Sequence, residues 1–371
     1  MAKVSTPTDT GSGAVLLDTL AQLRKPCDNG CCSPSQISFQ KRARARTMTE
    51  AMLFPLIDLG SPLSKSYWQT YWCNKVILQD GVTTKSKYCN QRWCMVCNRI
   101  RTARLINGYA DQLKGLNNPY FVTLTTRNVL AEDLRSTINQ MAKDFTRCKD
   151  TLRKRGVKLI GIRKIECTYN EERDDYHPHY HLIIDGCSES FKLVSQWLTK
   201  HPKTATIKGQ DLRYADVGAP VELFKYFTKM LSKSGHFHAK PMDVIFQSMK
   251  GKRVFQPFGG IRRCSEDVEV EREKTIDWKP SQSEIWTFER ADEHSDWYNA
   301  NGEPFSEVKL TPETIKLIQR INPNYFTDTT DFHKLETKQQ QNRWQSEDEN
   351  QHSTQKPILL QHVLTTPNCE P

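Results

Sequence analysis

Residues 157–184 constrain the fold more than any other stretch of the chain. VKLIGIRKIECTYN and HPHYHLII lie on either side of the polar EERDDY, the pattern of two antiparallel strands joined by a surface loop. A chain committed to such a hairpin needs cover for its sheet, and the flanking segments supply it. FVTLTT at 121–126 alternates, is rich in β-branched residues and follows Asn-Asn-Pro, which predicts a strand. AEDLRSTINQMAKDFTRCKDTLRKRG at 131–156 predicts a long amphipathic helix stopped by Gly156. A helix around 189–200, a strand within 204–217 and a helix from about 219 to 233 complete a β-α-β-β-α-β-α order. That order predicts an α+β fold, one antiparallel sheet with helices packed on it.

Charge divides the chain unequally. Residues 1–265 hold 42 Lys+Arg against 22 Asp+Glu, whereas residues 266–371 hold 11 against 21. The basic part favours a polyanionic partner, and nucleic acid is the commonest soluble one. A membrane surface is disfavoured, because no apolar run approaches the ~20 residues a span needs. The opening MAKVSTPTDTGSG lacks the apolar core of an export signal, so a cytoplasmic protein is expected. In that compartment the 12 cysteines point to metal binding or burial rather than disulfides.

These features divide the chain into four regions. Residues 1–60 are expected to be a poorly ordered arm that includes Cys27, Cys31 and Cys32, its KRARAR run at 41–46 being a solvated face or a loose phosphate contact. Residues 61–117 form a Cys-rich segment ending in a basic helix, NRIRTARLINGYADQLKGL at 98–116. Residues 118–265 hold the sheet domain. Residues 266–371 are expected to be acidic and partly disordered, above all the last ~35 residues with QQQNRWQSEDENQHSTQ.

Chemistry enters with the histidines. Residues two apart on a strand share a face, so His179 and His181 present two imidazoles on one side, while Tyr180 and Leu182 face the other. Two neutral ring nitrogens at this spacing can chelate one ion, or they can be hydrogen-bonded structural histidines. Glu166 on the preceding strand is a candidate third ligand, but a register slip of one residue would turn it away. Pro178 is expected to mark the start of the strand, where a missing N–H is tolerated.

A second constellation follows in PVELFKYFTKMLSK. Glu222, Tyr226 and Lys229 stand at i, i+4 and i+7, on one face of the expected helix, with Pro220 in its first turn. A tyrosine near a divalent cation and a lysine loses its proton more easily, and the phenolate is a nucleophile for phosphorus. Glu222 can act as general base. The bland alternative is a helix that buries Leu223, Phe227 and Leu231 with Tyr226 at the boundary. Upstream, Cys73, Cys89, Cys94 and Cys97 offer four thiolates, and Cys94-x-x-Cys97 has the knuckle spacing of a structural Zn²⁺ site. The alternative is a set of reduced cysteines around Trp72 and Trp93. With zinc, the site would brace the helix at 98–116, and Arg92, Arg99, Arg101 and Arg104 would hold DNA phosphates.

FVTLTT, then RKIECTYN with YHPHYHLII, then VELFKYFTK resemble, in order and spacing, the three motifs of HUH endonucleases. More narrowly they resemble the replication initiators of small rolling-circle plasmids, in which a Glu four residues before a single Tyr replaces a second tyrosine. YCNQRWCMVCNRIR resembles the stretch preceding the first motif there, and the likeness runs from about 66 to 263, through FGGIRR. The resemblance implies an HUH-type sheet, Mg²⁺ or Mn²⁺ on His179, His181 and an acidic or histidine partner, Glu166 or His177, and Tyr226 as nucleophile. It further implies origin DNA as substrate, a single strand or a hairpin nick site. The tyrosine would stay on the 5′ phosphate and free a 3′ hydroxyl, with host helicase and polymerase as partners and Glu222 activating water at termination. Among HUH enzymes a transposase or a mobilisation relaxase is the alternative, and Glu222 speaks against both. From another class comes a non-catalytic zinc-ribbon regulator that only binds DNA. The early cysteine cluster and the acidic C-terminal region match nothing in the family.

Overall fold

The hairpin at 157–184 lies at the centre of a five-stranded antiparallel sheet in the computed structural model, which describes residues 34–81, 83–216, 219, 223, 235–262, 283–290 and 294–327. Helix α1 (Pro34–Ile57) and α2 (Ser64–Tyr71) precede a hairpin of β1 (Val76–Asp80) and β2 (Thr83–Ser86), and α3 (Met95–Lys114) follows it. Next come β3 (Pro119–Thr125), α4 (Ala131–Lys154), β4 (Gly161–Asn170), β5 (Asp175–Asp185), α5 (Cys187–Lys200) and β6 (Asp211–Tyr214). Beyond the helical residues Ala219 and Leu223 lie α6 (Ala239–Met249), β7 (Phe255–Phe258), β8 (Glu284–Glu289), β9 (Asp296–Tyr298) and α7 (Pro312–Ile321). Contacts group residues Met1–Tyr325 into one unit and Phe326–Pro371 into another, of which only Phe326 and Thr327 are described.

The large sheet has the order β6-β3-β5-β4-β7, and its two faces carry different side chains. Phe121, Ile162 and Ile183 are neighbours in register on one face, and Tyr109 and Leu113 of α3, with Ala219 and Leu223, bury them. On the other face Tyr180 packs against Phe145 of α4 and Trp197 of α5, with ring centroids 5.6 and 6.1 Å apart. Cover on both faces is the condition that the α+β order requires. The turn after β7 needs glycine: Gly259 sits at φ +74°, and a Cβ there would run into the Leu159 carbonyl.

Several expectations need correction. The expected arm at 1–60 contains α1, whose Ala43, Ala45, Met48, Ala51, Met52, Leu53 and Leu56 are core residues. Its KRARAR run is internal rather than solvated. Arg46 is fully buried, donates to the Cys73 carbonyl at 2.9 Å, pairs with Glu50 and lies over the Phe288 ring. Arg42 donates to the Tyr88 hydroxyl and Arg44 to the Lys309 carbonyl. Arginine suits such places because its stem covers apolar surface while the planar head serves carbonyls and stacks on rings.

The boundary at 266 also fails, because β8 pairs with β1 in a second sheet of order β2-β1-β8-β9. Trp286, Phe288, Trp297 and Val308 form a core there with Ala43 and Ile77, and the Trp297 indole donates to the Asn74 carbonyl. Trp286 of β8 and Trp297 of β9 are thus buried strand residues. Cys27, Cys31, Cys32 and the last ~35 residues lie outside the described residues.

Pro178 is not at the strand start either, since β5 begins at Asp175. Tyr176 exchanges both backbone bonds with Val129, so the Pro178 nitrogen, two residues on, faces the same neighbour. There β3 has ended at Thr125 and Arg127 has turned to bond Thr204, so the missing N–H breaks no ladder.

Candidate active site

Register decides what shares a face with the histidines. Glu166 is opposite His179 and Lys164 opposite His181 across β4 and β5, while Thr123 and Thr125 of β3 face His181 and His179. Side chains of directly opposed residues point the same way, so Lys164, Glu166, His177, His179 and His181 all stand on the face that Phe121 and Ile183 occupy further along. The donor atoms of Glu166, His179 and His181 lie within 4.8 Å of one another.

Second contacts prepare these donors. His179 Nδ1 donates to the His177 carbonyl at 3.0 Å, which leaves its Nε2 with a lone pair. His181 Nδ1 shares a 3.2 Å hydrogen bond with the Thr123 hydroxyl, so its Nε2 is also turned toward the group. The two Nε2 atoms are 3.1 Å apart. Metal bonds of ~2.1 Å at right angles place two nitrogens ~3.0 Å apart, so the pair can chelate one ion. Glu166 Oε2 lies 3.7 Å from His181 Nε2 and accepts from Lys164 Nζ at 2.8 Å. Burial pushes the Glu166 carboxyl up, but Lys164 and then the two histidines outweigh it and hold the group at about 2. Two imidazoles and a carboxylate can together hold one divalent cation and leave further coordination positions open.

His177 is placed differently. Asn128 donates through its amide nitrogen to Asp175 at 2.6 Å, so its Oδ1 faces His177 Nδ1 at 2.8 Å. The ring then stacks on His179, centroids 5.1 Å apart. Of the two candidates for third ligand, Glu166 is the one whose oxygen joins the paired nitrogens. Lys164 was missed by sequence reasoning. Its signal was present in RKIECTYN, where period-two alternation puts it on the Glu166 face.

The four cysteines converge as the spacing predicts. Sγ separations are 3.5 Å for Cys73–Cys97, 3.6 Å for Cys73–Cys94 and 3.7 Å for Cys89–Cys97. A tetrahedral ion with bonds of ~2.3 Å would place its sulfurs ~3.8 Å apart. Backbone N–H groups of Cys89, Gln91 and Cys97 point at the sulfurs of Cys73, Cys89 and Cys94. Hydrogen bonds from Cys73 and then Cys94 and Cys97 draw the Cys89 thiol down. Cys94 caps the N-terminus of α3, and Ala45 of α1 packs on the cluster.

The basic residues divide. Arg92 donates to the carbonyls of Met249, at 2.8 Å, and Lys252, so its guanidinium braces the end of α6 instead of facing outward. Arg101 donates to Asn98 Oδ1 and the Asn90 carbonyl. Arg99 and Arg104 lie partly exposed along α3. Glu222, Tyr226 and Lys229 lie outside the described residues. No helix among the described residues is long and apolar enough to cross a membrane.

Comparison with known proteins bears on this site. Residues 81–214, which include β3, β4 and β5, match the family model described as "Replication protein". A "Protein rep" of Staphylococcus aureus is 30% identical over 105 residues, 27% of this chain and 46% of the relative. Others from Streptococcus pneumoniae and a Bacillus species are each 30% identical, over 128 and 105 residues, covering 30% and 27% of this chain and 38% and 34% of those proteins. The matched part thus spans less than half the length of each of these relatives. No solved structure matches. The family match and the relatives support the resemblance to rolling-circle plasmid replication initiators.

Proposed function

We propose that this chain initiates rolling-circle replication of a plasmid by nicking one strand of the origin and joining itself to the 5′ phosphate through Tyr226. The observation that carries the proposal is the convergence of Glu166, His179 and His181 on one sheet face inside the region that matches a replication protein family. A divalent ion bound there would supply Lewis-acid polarisation of the scissile phosphate. His179 and His181 would hold it through Nε2, and Glu166 would complete the set from β4.

Ala219 and Leu223 support the role of the following residues. Both are helical and buried against Phe121, Ile162 and Ile183, on the face that carries the histidines. On the helix expected over about 219–233, Tyr226 comes one turn after Leu223, so it would lie over the same side of the sheet. Its oxygen would attack phosphorus and the 3′ oxygen would leave, with Glu222 or a water as the proton acceptor. The phosphotyrosine ester keeps the energy of the broken bond, so the strand can be rejoined without ATP. Glu222 would later direct a water to end the round, and Lys229 would offset phenolate and phosphate charge. The cysteine group would hold a structural zinc, and Arg99 and Arg104 would contact phosphates of the origin. A host polymerase would extend the freed 3′ end as a host helicase opens the duplex.

Incubation with a supercoiled plasmid carrying the cognate origin and Mn²⁺ tests this. Nicked circles with protein attached to the 5′ end are the expected product, absent for Tyr226→Phe. A plasmid that stays closed would favour a DNA-binding regulator.

A further inference from the structure

Resting on the metal reading above, we infer that Lys164 neutralises the Glu166–His179–His181 group, holding down its affinity for a free divalent cation so that the ion loads together with a phosphodiester.

Lys164 sits two residues before Glu166 on β4, on the same face and opposite His181 in register. Only 3% of it is exposed, so it is no flexible surface cation. Its ammonium lies 2.8 Å from Glu166 Oε2, and that same oxygen is 3.7 Å from His181 Nε2. The cation therefore stands beside the donor set. Imidazoles bind metal only when neutral, so the three donors together carry one negative charge, and Lys164 cancels it. Among the described residues this donor group and its lysine carry no net charge, which offers a dication little long-range attraction, and a fixed positive neighbour opposes it at close range. A scissile phosphodiester brings one negative charge back. Ion and phosphate should then bind more tightly together than either alone, which is reciprocal coupling in the thermodynamic sense. The salt bridge has a second effect: it holds the carboxylate near its ligating position before any ion arrives. Lys164 is thus a positioning and charge-setting residue, acting on the ion through Glu166.

Mn²⁺ binding to the full-length protein, followed by the loss of the free-ion electron spin resonance signal at pH 8, tests the inference without any nicking readout. Lys164→Gln keeps a donor to Glu166 without the charge, Lys164→Met removes both, and Lys164→Arg keeps the charge. The Gln variant should bind Mn²⁺ about tenfold tighter than the wild type or better, the Met variant tighter than the wild type by a smaller factor because it also loses the hydrogen bond to Glu166, and the Arg variant near wild type. Equal or weaker binding by folded Gln and Met variants would overturn the role of Lys164. A measurement on the wild type alone covers the case in which the variants do not fold. Single-stranded oligothymidylate should tighten Mn²⁺ binding by about tenfold after subtraction of its own uptake, and an unchanged affinity would overturn the joint loading. His179→Ala separates the two levels. If the wild type binds no Mn²⁺ that His179→Ala loses, the metal reading itself fails and this inference with it.

Discussion

The cysteine group and the glutamate–histidine group are both clusters of metal-binding side chains, yet they are built on opposite principles. Cys73, Cys89, Cys94 and Cys97 come from a loop, a second loop and the start of α3 and bring four like donors together. Glu166, His179 and His181 come from two adjacent strands, offer three unlike donors and have a buried lysine beside them. Four thiolates fill a tetrahedron and leave nothing for a substrate, as a structural site requires. Three mixed donors leave coordination open, as a reacting site requires. The first cluster draws on the residues after α2, the loop before α3 and α3 itself; the second sits within one sheet, on two neighbouring strands.

The sharpest way to break this comparison is to remove each group and ask what is lost. His179→Ala and Tyr226→Phe should abolish covalent attachment to origin DNA while leaving the thermal midpoint within a few degrees of wild type. A large fall in the midpoint for His179→Ala would mean that the histidines are structural after all. Cys94→Ser should do the reverse: its zinc content by elemental analysis should drop and its midpoint should fall by roughly 10 °C, as expected for several kcal/mol in a domain of this size. Retention of the wild-type midpoint without zinc would leave the four thiols as ordinary buried cysteines.

Chelation sharpens the contrast more gently. Brief EDTA treatment should suppress nicking that Mn²⁺ restores, with zinc still bound by elemental analysis. Loss of both together would contradict the division into open and closed sites. The smallest effects concern the arginines. Arg92→Ala should cost about 2–3 kcal/mol of unfolding free energy in urea, because it strands the carbonyls of Met249 and Lys252, with no change in the salt dependence of DNA binding. Arg104→Ala should leave stability alone and reduce the salt slope by about 1.

Much of the sheet domain was legible because its signals are local. Alternation located β3, β4 and β5, and spacing located α3, α4 and α5 to within a few residues. The face shared by His179 and His181 also follows from period two alone. Glu166 needed the pairing register, which depends on a partner strand and cannot be read from one segment. Lys164 was passed over because a lysine in a strand is normally turned to water, and its burial follows only from the carboxylate beside it. α1 was misread for a related reason. Its arginines looked like a solvated run, but their partners are the Cys73 carbonyl, Tyr88, Lys309 and the Phe288 ring, up to 265 residues away. β8 and β9 were hidden by acidic composition, since their core positions are few, Trp286, Phe288 and Trp297. Glu222 and Tyr226 rest on spacing and resemblance.

The pairing of β1 with β8 has a consequence for biogenesis. A ribosome delivers Val76–Asp80 roughly two hundred residues before Glu284–Glu289, so the first strand leaves the exit tunnel long before its neighbour exists. The hairpin of β4 and β5 needs no such wait, its halves being separated by a four-residue turn. During synthesis the sheet built on β4 and β5 can therefore begin to form first, while the amino-terminal layer keeps an open β1 edge in need of shielding until β8 has been made.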